Sequence, residues 1–211
     1  MYQSHPSPEL NRLFIERPFQ GADPEKAKYV FVGLDANYAS DLENSSSYHE
    51  VLEYHLDGVA FWQKYGVHHP FLLSSYRGDG RRYHINFARI GFTSKEASDV
   101  SFIELLHVPT VGRSMLESSD LKGNHLQLIN TLITRGDYRH VFLSAGVIRL
   151  MQASGHFQWL ERAQPKQVLP KLIKIGATQV YQHLHLSNYG KFQAQLNEEA
   201  AAINRLFAQD A

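Results

Sequence analysis

The stretch Lys28-Tyr-Val-Phe-Val-Gly-Leu-Asp-Ala-Asn-Tyr38 constrains the fold more than any other. Its β-branched and aromatic residues run without interruption into Gly33, and a polar cluster follows. A short, continuously apolar run of this kind suits a parallel strand buried on both faces. Gly33 lets the backbone turn closely. Asp35 and Asn37 then fall where such a strand delivers side chains to the carboxyl edge of its sheet, the edge at which ligands bind in open α/β sheets.

Three more runs resemble this one: Val100 to Leu106, Val141 to Gly146 and Ala177 to His185. Between them, apolar residues recur at helical spacing. Leu10, Leu13 and Phe14 mark a lead-in helix over 8–16. Val51, Leu52, His55, Val59 and Trp62 mark a helix over 48–65, behind the capping chemistry of Asn44 to Ser47. Tyr83 to Gly91, His125 to Thr134, Gly146 to about Met151 and Lys191 to Phe207 complete the set, and Pro18 to Pro24 reads as a linker. The alternation predicts one α/β domain over residues 1–211, a three-layer α/β/α sandwich around a mostly parallel four-stranded sheet.

Composition narrows the function classes. With 43% hydrophobic and 20% charged residues among 211, the chain is ordinary for a globular domain. Cysteine is absent, which removes thiolate catalysis, thiolate metal sites and disulfides together. No apolar run approaches the roughly 18 residues a membrane span needs, and the N-terminus lacks the pattern of a secretory signal. The expectation is a cytoplasmic protein, probing no membrane and built as a monomer. Lys and Arg together number 21, as do Asp and Glu, so nucleic-acid binding would have to rest on a local basic stripe.

The polar candidates collect at strand ends: Gly33 to Tyr38, His107 to Arg113, and His183-Leu-His-Leu-Ser-Asn-Tyr-Gly190. In a parallel sheet these ends share one edge, so Asp35 and His185 converge despite their separation in sequence. A carboxylate beside an imidazole can activate water and stabilise a developing anion. Asp35 as the cap of a following helix is the plainer reading. His183 and His185 share a strand face, and His68-His69 could add ligands, but no carboxylate or third His completes a metal site, so neither metal nor cofactor is expected. For Glu104, inside an apolar run, pairing in the core is favoured over reaching the site. Phe71 and Tyr48, taken singly, read as core.

Taken in chain order, the strand ends resemble those of the uracil-DNA glycosylase superfamily, over nearly the whole chain. Its opening strand with Gly-x-Asp-Pro is matched by Val30-Phe-Val-Gly-Leu-Asp-Ala36. The layout is most similar to the mismatch-specific uracil glycosylase branch, with Gly66 to Phe71, then Arg82 to Gly91-Phe-Thr93, then Phe102-Ile-Glu-Leu-Leu-His-Val-Pro-Thr110. The closing His-Pro-Ser corresponds to His185-Leu-Ser187, ahead of a long terminal helix. The resemblance implies a metal-independent enzyme that hydrolyses the N-glycosidic bond of uracil or a related deaminated or damaged base in DNA. Asp35 would orient the attacking water and His185 would stabilise the departing base. Phe71 would stack on an extruded base, with Gly33, Leu34 and His107 completing its binding. Thr110, Arg113, Ser187, Asn188 and Lys191 would hold the DNA backbone, and Tyr189 would wedge into the base stack.

The chain departs from that pattern in three places. Ala36 and Leu186 stand where the motifs carry proline, and residues 39–65 form a helical insertion. Glu104, Leu106 and His107 compete for the position that reads the base edge. A non-catalytic nucleic-acid or nucleobase-binding protein, and a hydrolase of free nucleosides, are the alternative expectations.

Overall fold

The computed structural model describes residues 2–112, 115–160 and 167–210. In chain order the strands are β1 (Gln3–Ser4), β2 (Phe19–Gly21), β3 (Tyr29–Gly33), β4 (Asn37–Tyr38), β5 (Val100–Glu104), β6 (Thr110–Val111), β7 (Arg139–Ser144), β8 (Lys171–Ile175) and β9 (Thr178–His183). The helices are α1 (Pro8–Glu16), α2 (Tyr48–Leu56), α3 (Gly58–Tyr65), α4 (Arg81–Ala88), α5 (Gly123–Thr134), α6 (Ala145–Ser154) and α7 (Gln193–Asp210).

The four expected strands form the parallel centre of the main sheet, in the order β5-β3-β7-β9. The four-stranded expectation itself is corrected. Antiparallel β2 and β8 flank that centre, giving a mixed sheet of six strands. Both additions are edge strands. β2 is three residues long and lies within the stretch that reads as a linker, while β8 exposes its lysines, so neither carries the continuous apolar run of a strand buried on both faces. A second, three-stranded sheet, β1-β6-β4, forms beyond the carboxyl ends of β3 and β5.

Helices cover both faces of the main sheet. Val30, Val32, Ile103, Val141 and Leu143 point to one face, against Leu126, Ile129 and Ile133 of α5 and Val147 and Met151 of α6. Alternate residues of the same strands, Tyr29, Phe31, Phe102, Phe142 and Tyr181, point to the other, against Trp62, Phe87, Leu196 and Ile203. Phe31 sits at the centre of this aromatic face, stacked on Phe142 at 4.6 Å between ring centroids and edge-on to Phe87 at 5.1 Å. Truncating so enclosed a ring to alanine costs about 3–5 kcal/mol.

The single helix expected over 48–65 is two. Its apolar repeat carries through, but Asp57 leaves the helical conformation and caps α3 by accepting a hydrogen bond from the Ala60 amide at 3.0 Å. The break turns the chain so that Gly58 lies against β2. A β-carbon on Gly58 would stand 2.5 Å from the Gly21 nitrogen, so only glycine allows this approach. The insertion is thereby docked on the edge of the main sheet, with Tyr54 of α2 directed over its carboxyl end.

Candidate active site

A cavity of about 330 Å³ opens at the carboxyl ends of β3 and β5. It exists because of one pair of residues. Parallel pairing sets Phe31 beside Phe102 and Gly33 beside Glu104 on the same sheet face. At the next pleat beyond the aromatic core, Gly33 contributes no side chain, and the Glu104 carboxyl leans into the space. A β-carbon on Gly33 would fall 1.9 Å from Glu104 Oε2. Glu104 therefore is not a core residue with a paired charge; it forms part of the cavity wall, which corrects the expectation of core pairing. Burial, and then the nearby charge of Asp35, push its carboxyl up to about 8.

Asp35 lines the same cavity. Its Oδ2 accepts a hydrogen bond from Thr110 Oγ1 at 2.5 Å, and that hydroxyl accepts one from Asn37 Nδ2 at 3.0 Å. The incoming N–H fixes the hydroxyl so that its own proton faces Asp35. Thr110 is fully buried in β6, so its hydroxyl serves the carboxylate and is not presented to a DNA backbone. The turn at Ala36 is held by pairing: the Ala36 carbonyl accepts from the Thr110 amide at 2.9 Å, and β4 then continues beside β6. Main-chain bonds thus supply the stiffness a proline would give locally.

His185 also lines the cavity, two residues beyond β9. Its Nδ1 accepts from the Ser187 main-chain N–H at 3.3 Å, and Ser187 Oγ lies 2.5 Å from the same nitrogen. A backbone N–H can only donate, so Nδ1 carries no proton and Nε2–H is the free donor of a neutral ring. Burial lowers the ring's proton affinity, and Asp35 opposes that in part. The turn after His185 is held in a similar way. Leu186 is 5% exposed and packs in the aromatic core, while Asn86 Nδ2 of α4 donates to the Leu186 carbonyl at 2.6 Å and the Asn188 carbonyl at 3.2 Å.

Aromatic side chains close the remaining walls. Phe71, in the 3-10 turn Pro70–Leu72, is 5% exposed, stacked on Tyr76 at 4.2 Å, and borders the cavity with Tyr38, Tyr54 and Tyr83. His69 and His84 stack at 3.5 Å between centroids and line it too. Both are held neutral by burial, His84 down to about 3. Gln20 reaches it from β2. Sequence patterns give no sign of Gln20, Tyr54, Tyr83 or His84, because each arrives through the edge strand, the insertion or α4.

The other candidates divide. Gly33, Leu34 and Ser187 border the cavity. His107 does not; it faces His125, 6.1 Å away between ring centroids, and burial lowers it to about 4. Tyr189 is 66% exposed, with the Arg82 guanidinium 4.1 Å from its ring centre. Lys191 is exposed beside Phe192, Asn188 borders a second depression shared with His185, and Arg113 lies outside the described residues. Among the described residues no three His, Asp or Glu side chains are grouped to hold a metal ion, and no helix is long and apolar enough to cross a membrane. Comparison with protein-family models, curated proteins and solved structures finds no match for the chain.

Proposed function

We propose that this chain is a metal-independent DNA glycosylase of the uracil-DNA glycosylase kind, a three-layer α/β/α domain that removes uracil or a related deaminated base. The observation that carries the reading is that Asp35, Phe71 and His185 share one cavity. Its volume, about 330 Å³, lies at the small end of the roughly 300–1,000 Å³ of small-molecule sites and suits one nucleobase.

The chemistry follows from the groups present. Asp35, aimed by Thr110, orients a water toward the anomeric carbon of an extruded nucleotide and takes its proton. As the new C–O bond forms, the glycosidic C–N bond breaks and its electron pair leaves with the base. His185 meets that charge with Nε2–H, a donor already in place before charge develops. Phe71 and its aromatic neighbours offer the flat, water-excluding wall that an unstacked base needs.

The charge distribution supports a nucleic-acid partner despite the neutral total. Arg77, Arg81, Arg82, Arg89 and Lys191 belong to none of the ion pairs among the described residues, which tie up Arg12, Lys26, Lys28, Lys64, Arg135 and Arg139; Lys95, Lys122, Arg149, Lys171, Lys174 and Arg205 are likewise outside those pairs. Arg81, Arg82 and Arg89, with the single acid Asp79, line a depression that meets the cavity at Gly80. Unpaired cations along one rim are the local stripe that phosphate contacts require. Tyr189, braced by Arg82, stands on this side as the wedge.

The test uses single- and double-stranded oligonucleotides carrying uracil, hypoxanthine, xanthine or a thymine mispair, followed by alkali, with free nucleosides in parallel. Strand cleavage at the lesion by wild type, lost in Asp35→Ala, is the expected result. Turnover of nucleosides alone would assign a small-molecule hydrolase, and DNA binding without cleavage of any lesion would assign a binding protein.

A further inference from the structure

Glu104 occupies a position where the pleat calls for a core side chain, and its carboxyl has neither an ion-pair nor a hydrogen-bond partner among the described residues. Its main-chain carbonyl accepts from His125 Nε2 at 2.7 Å. The ionisable groups that line the cavity with this carboxyl are Asp35 from the end of β3, Tyr38 from β4, Tyr54 from α2, His69 from the turn before Phe71, Tyr83 and His84 from α4 and His185 from the loop after β9. None is a cation at neutral pH: burial holds the three phenols far above their ordinary range and lowers the three imidazoles. Asp35 adds a like charge. Among the described residues burial and Asp35 both disfavour a carboxylate, so this carboxyl keeps its proton at neutral pH.

A second polar group waits beside it. Gln20 pairs with Phe102 across β2 and β5, which places its side chain on the same sheet face as Glu104, one pleat away. Gln20 is 5% exposed and borders the cavity, and its Nε2 is buried without a hydrogen-bond partner. The buried Gln20 nitrogen is costly unless a ligand completes it, and the half-buried carboxyl of Glu104 on the same wall is open to the same ligand.

We propose that Glu104 is a catalytic residue in its uncharged form, donating its O–H to a carbonyl oxygen of the bound base, with Gln20 Nε2 donating a second hydrogen bond to a carbonyl oxygen of the same base. The substrate class is then a keto base with a lactam edge, such as uracil or hypoxanthine, in preference to the amino bases. This rests on the glycosylase reading above. When the glycosidic bond breaks, its electron pair spreads from the ring nitrogen onto the carbonyl oxygens. The Glu104 hydrogen bond strengthens as that charge arrives, without proton transfer, while the proton released by the attacking water goes to Asp35. A neutral carboxylic acid used in this way works as an oxyanion donor.

The experiment pairs single-turnover cleavage of uracil- and hypoxanthine-containing oligonucleotides with calorimetric binding of free uracil, from about pH 6 to about pH 9. In wild type, rate and affinity fall above about 8, where Glu104 loses its proton. Glu104→Gln keeps a donor but does not titrate; it stays within about 10-fold of wild type and loses this alkaline limb. Glu104→Ala falls by about 10²- to 10³-fold. In wild type, uracil also moves the titration of the Glu104 carboxyl carbon resonance to higher pH, a readout that needs no variant. An alkaline limb that persists in Glu104→Gln, a Glu104 titration unmoved by uracil, or no uracil binding at any pH overturns the proposal. Uracil binding with this pH profile but no cleavage upholds Glu104 as the base reader and overturns the hydrolase reading instead. Cleavage lost in Asp35→Ala but indifferent to Glu104 does the reverse.

Discussion

A carboxyl kept neutral inside the cavity ties the stability of the fold to pH, and replacing Glu104 by glutamine exposes the link. In the unfolded chain this group titrates near 4.5; in the folded protein it does so at about 8. Between those values the folded state holds a proton that the unfolded state has released. The stabilisation is complete below about 4.5, declines as pH rises, and is gone above about 8. At about 1.4 kcal/mol per pH unit the interval sets a ceiling on the order of 5 kcal/mol. Water entering the cavity relieves part of this, so Glu104→Gln is expected to gain about 2–4 kcal/mol over wild type at about pH 8, and almost nothing near pH 4.5. Urea unfolding of both proteins at the two pH values measures the gain. Titrating groups that do not interact with Glu104 contribute equally to both and cancel in the difference, while the repulsion from Asp35 is part of the effect measured. A variant whose advantage is the same at both pH values would refute the reasoning, because the carboxyl would then carry its charge in the fold.

Gly33→Ala drives a methyl group to 1.9 Å from Glu104 Oε2; a loss of about 1–3 kcal/mol in thermal unfolding and a collapse of uracil binding are expected, and unchanged binding would mean the wall can shift. Thr110→Val keeps shape but removes the donor to Asp35, so single-turnover cleavage drops about 10- to 100-fold with melting temperature nearly unchanged. Asn86→Ala strips the clamp from the carbonyls of Leu186 and Asn188; a cost of about 1–3 kcal/mol is expected, with cleavage falling further than stability alone explains. His55 and His84 are neutral in the fold, pushed to about 3 by burial, whereas unfolded histidine protonates near 6.5. Their stabilisation is whole above about 6.5 and drains away as pH falls toward 3, so a melting temperature that stays flat across that interval would contradict their burial.

The parts legible in the sequence are those whose environment is uniform. Strands β3, β5 and β7 are buried along most of their length and carry apolar runs, whereas β9, Thr178–His183, is apolar only at Val180 and Tyr181 and shows itself by its place in the alternation. Edge strand β2 is three residues long and is covered by the insertion, and β8 is interrupted by the exposed Lys171 and Lys174, so neither writes such a run. The insertion keeps one apolar phase through Asp57, so periodicity alone joins α2 and α3 into one helix; the aspartate's capping bond is what divides them. Asp35 and His185 were visible because strand ends of a parallel sheet share an edge. Gln20 is not visible, and Glu104 stands only as one of three competitors with Leu106 and His107, since their position depends on register: Gly33 beside Glu104, and Gln20 opposite Phe102. Register is a property of pairs of segments, which a single run of residues does not encode.

The three-stranded sheet beside the cavity has a consequence for how this protein would fail under heat. Its strands are two residues each, against five or six for those of the parallel centre, yet through Thr110 it aims Asp35. Short pairings far apart in sequence open before a large sheet does. Warming would therefore disarm the carboxylate while the molecule stayed folded, and inactivation should run ahead of melting by several degrees or more. The temperature ceiling of the site would be set by six residues of sheet rather than by the aromatic core.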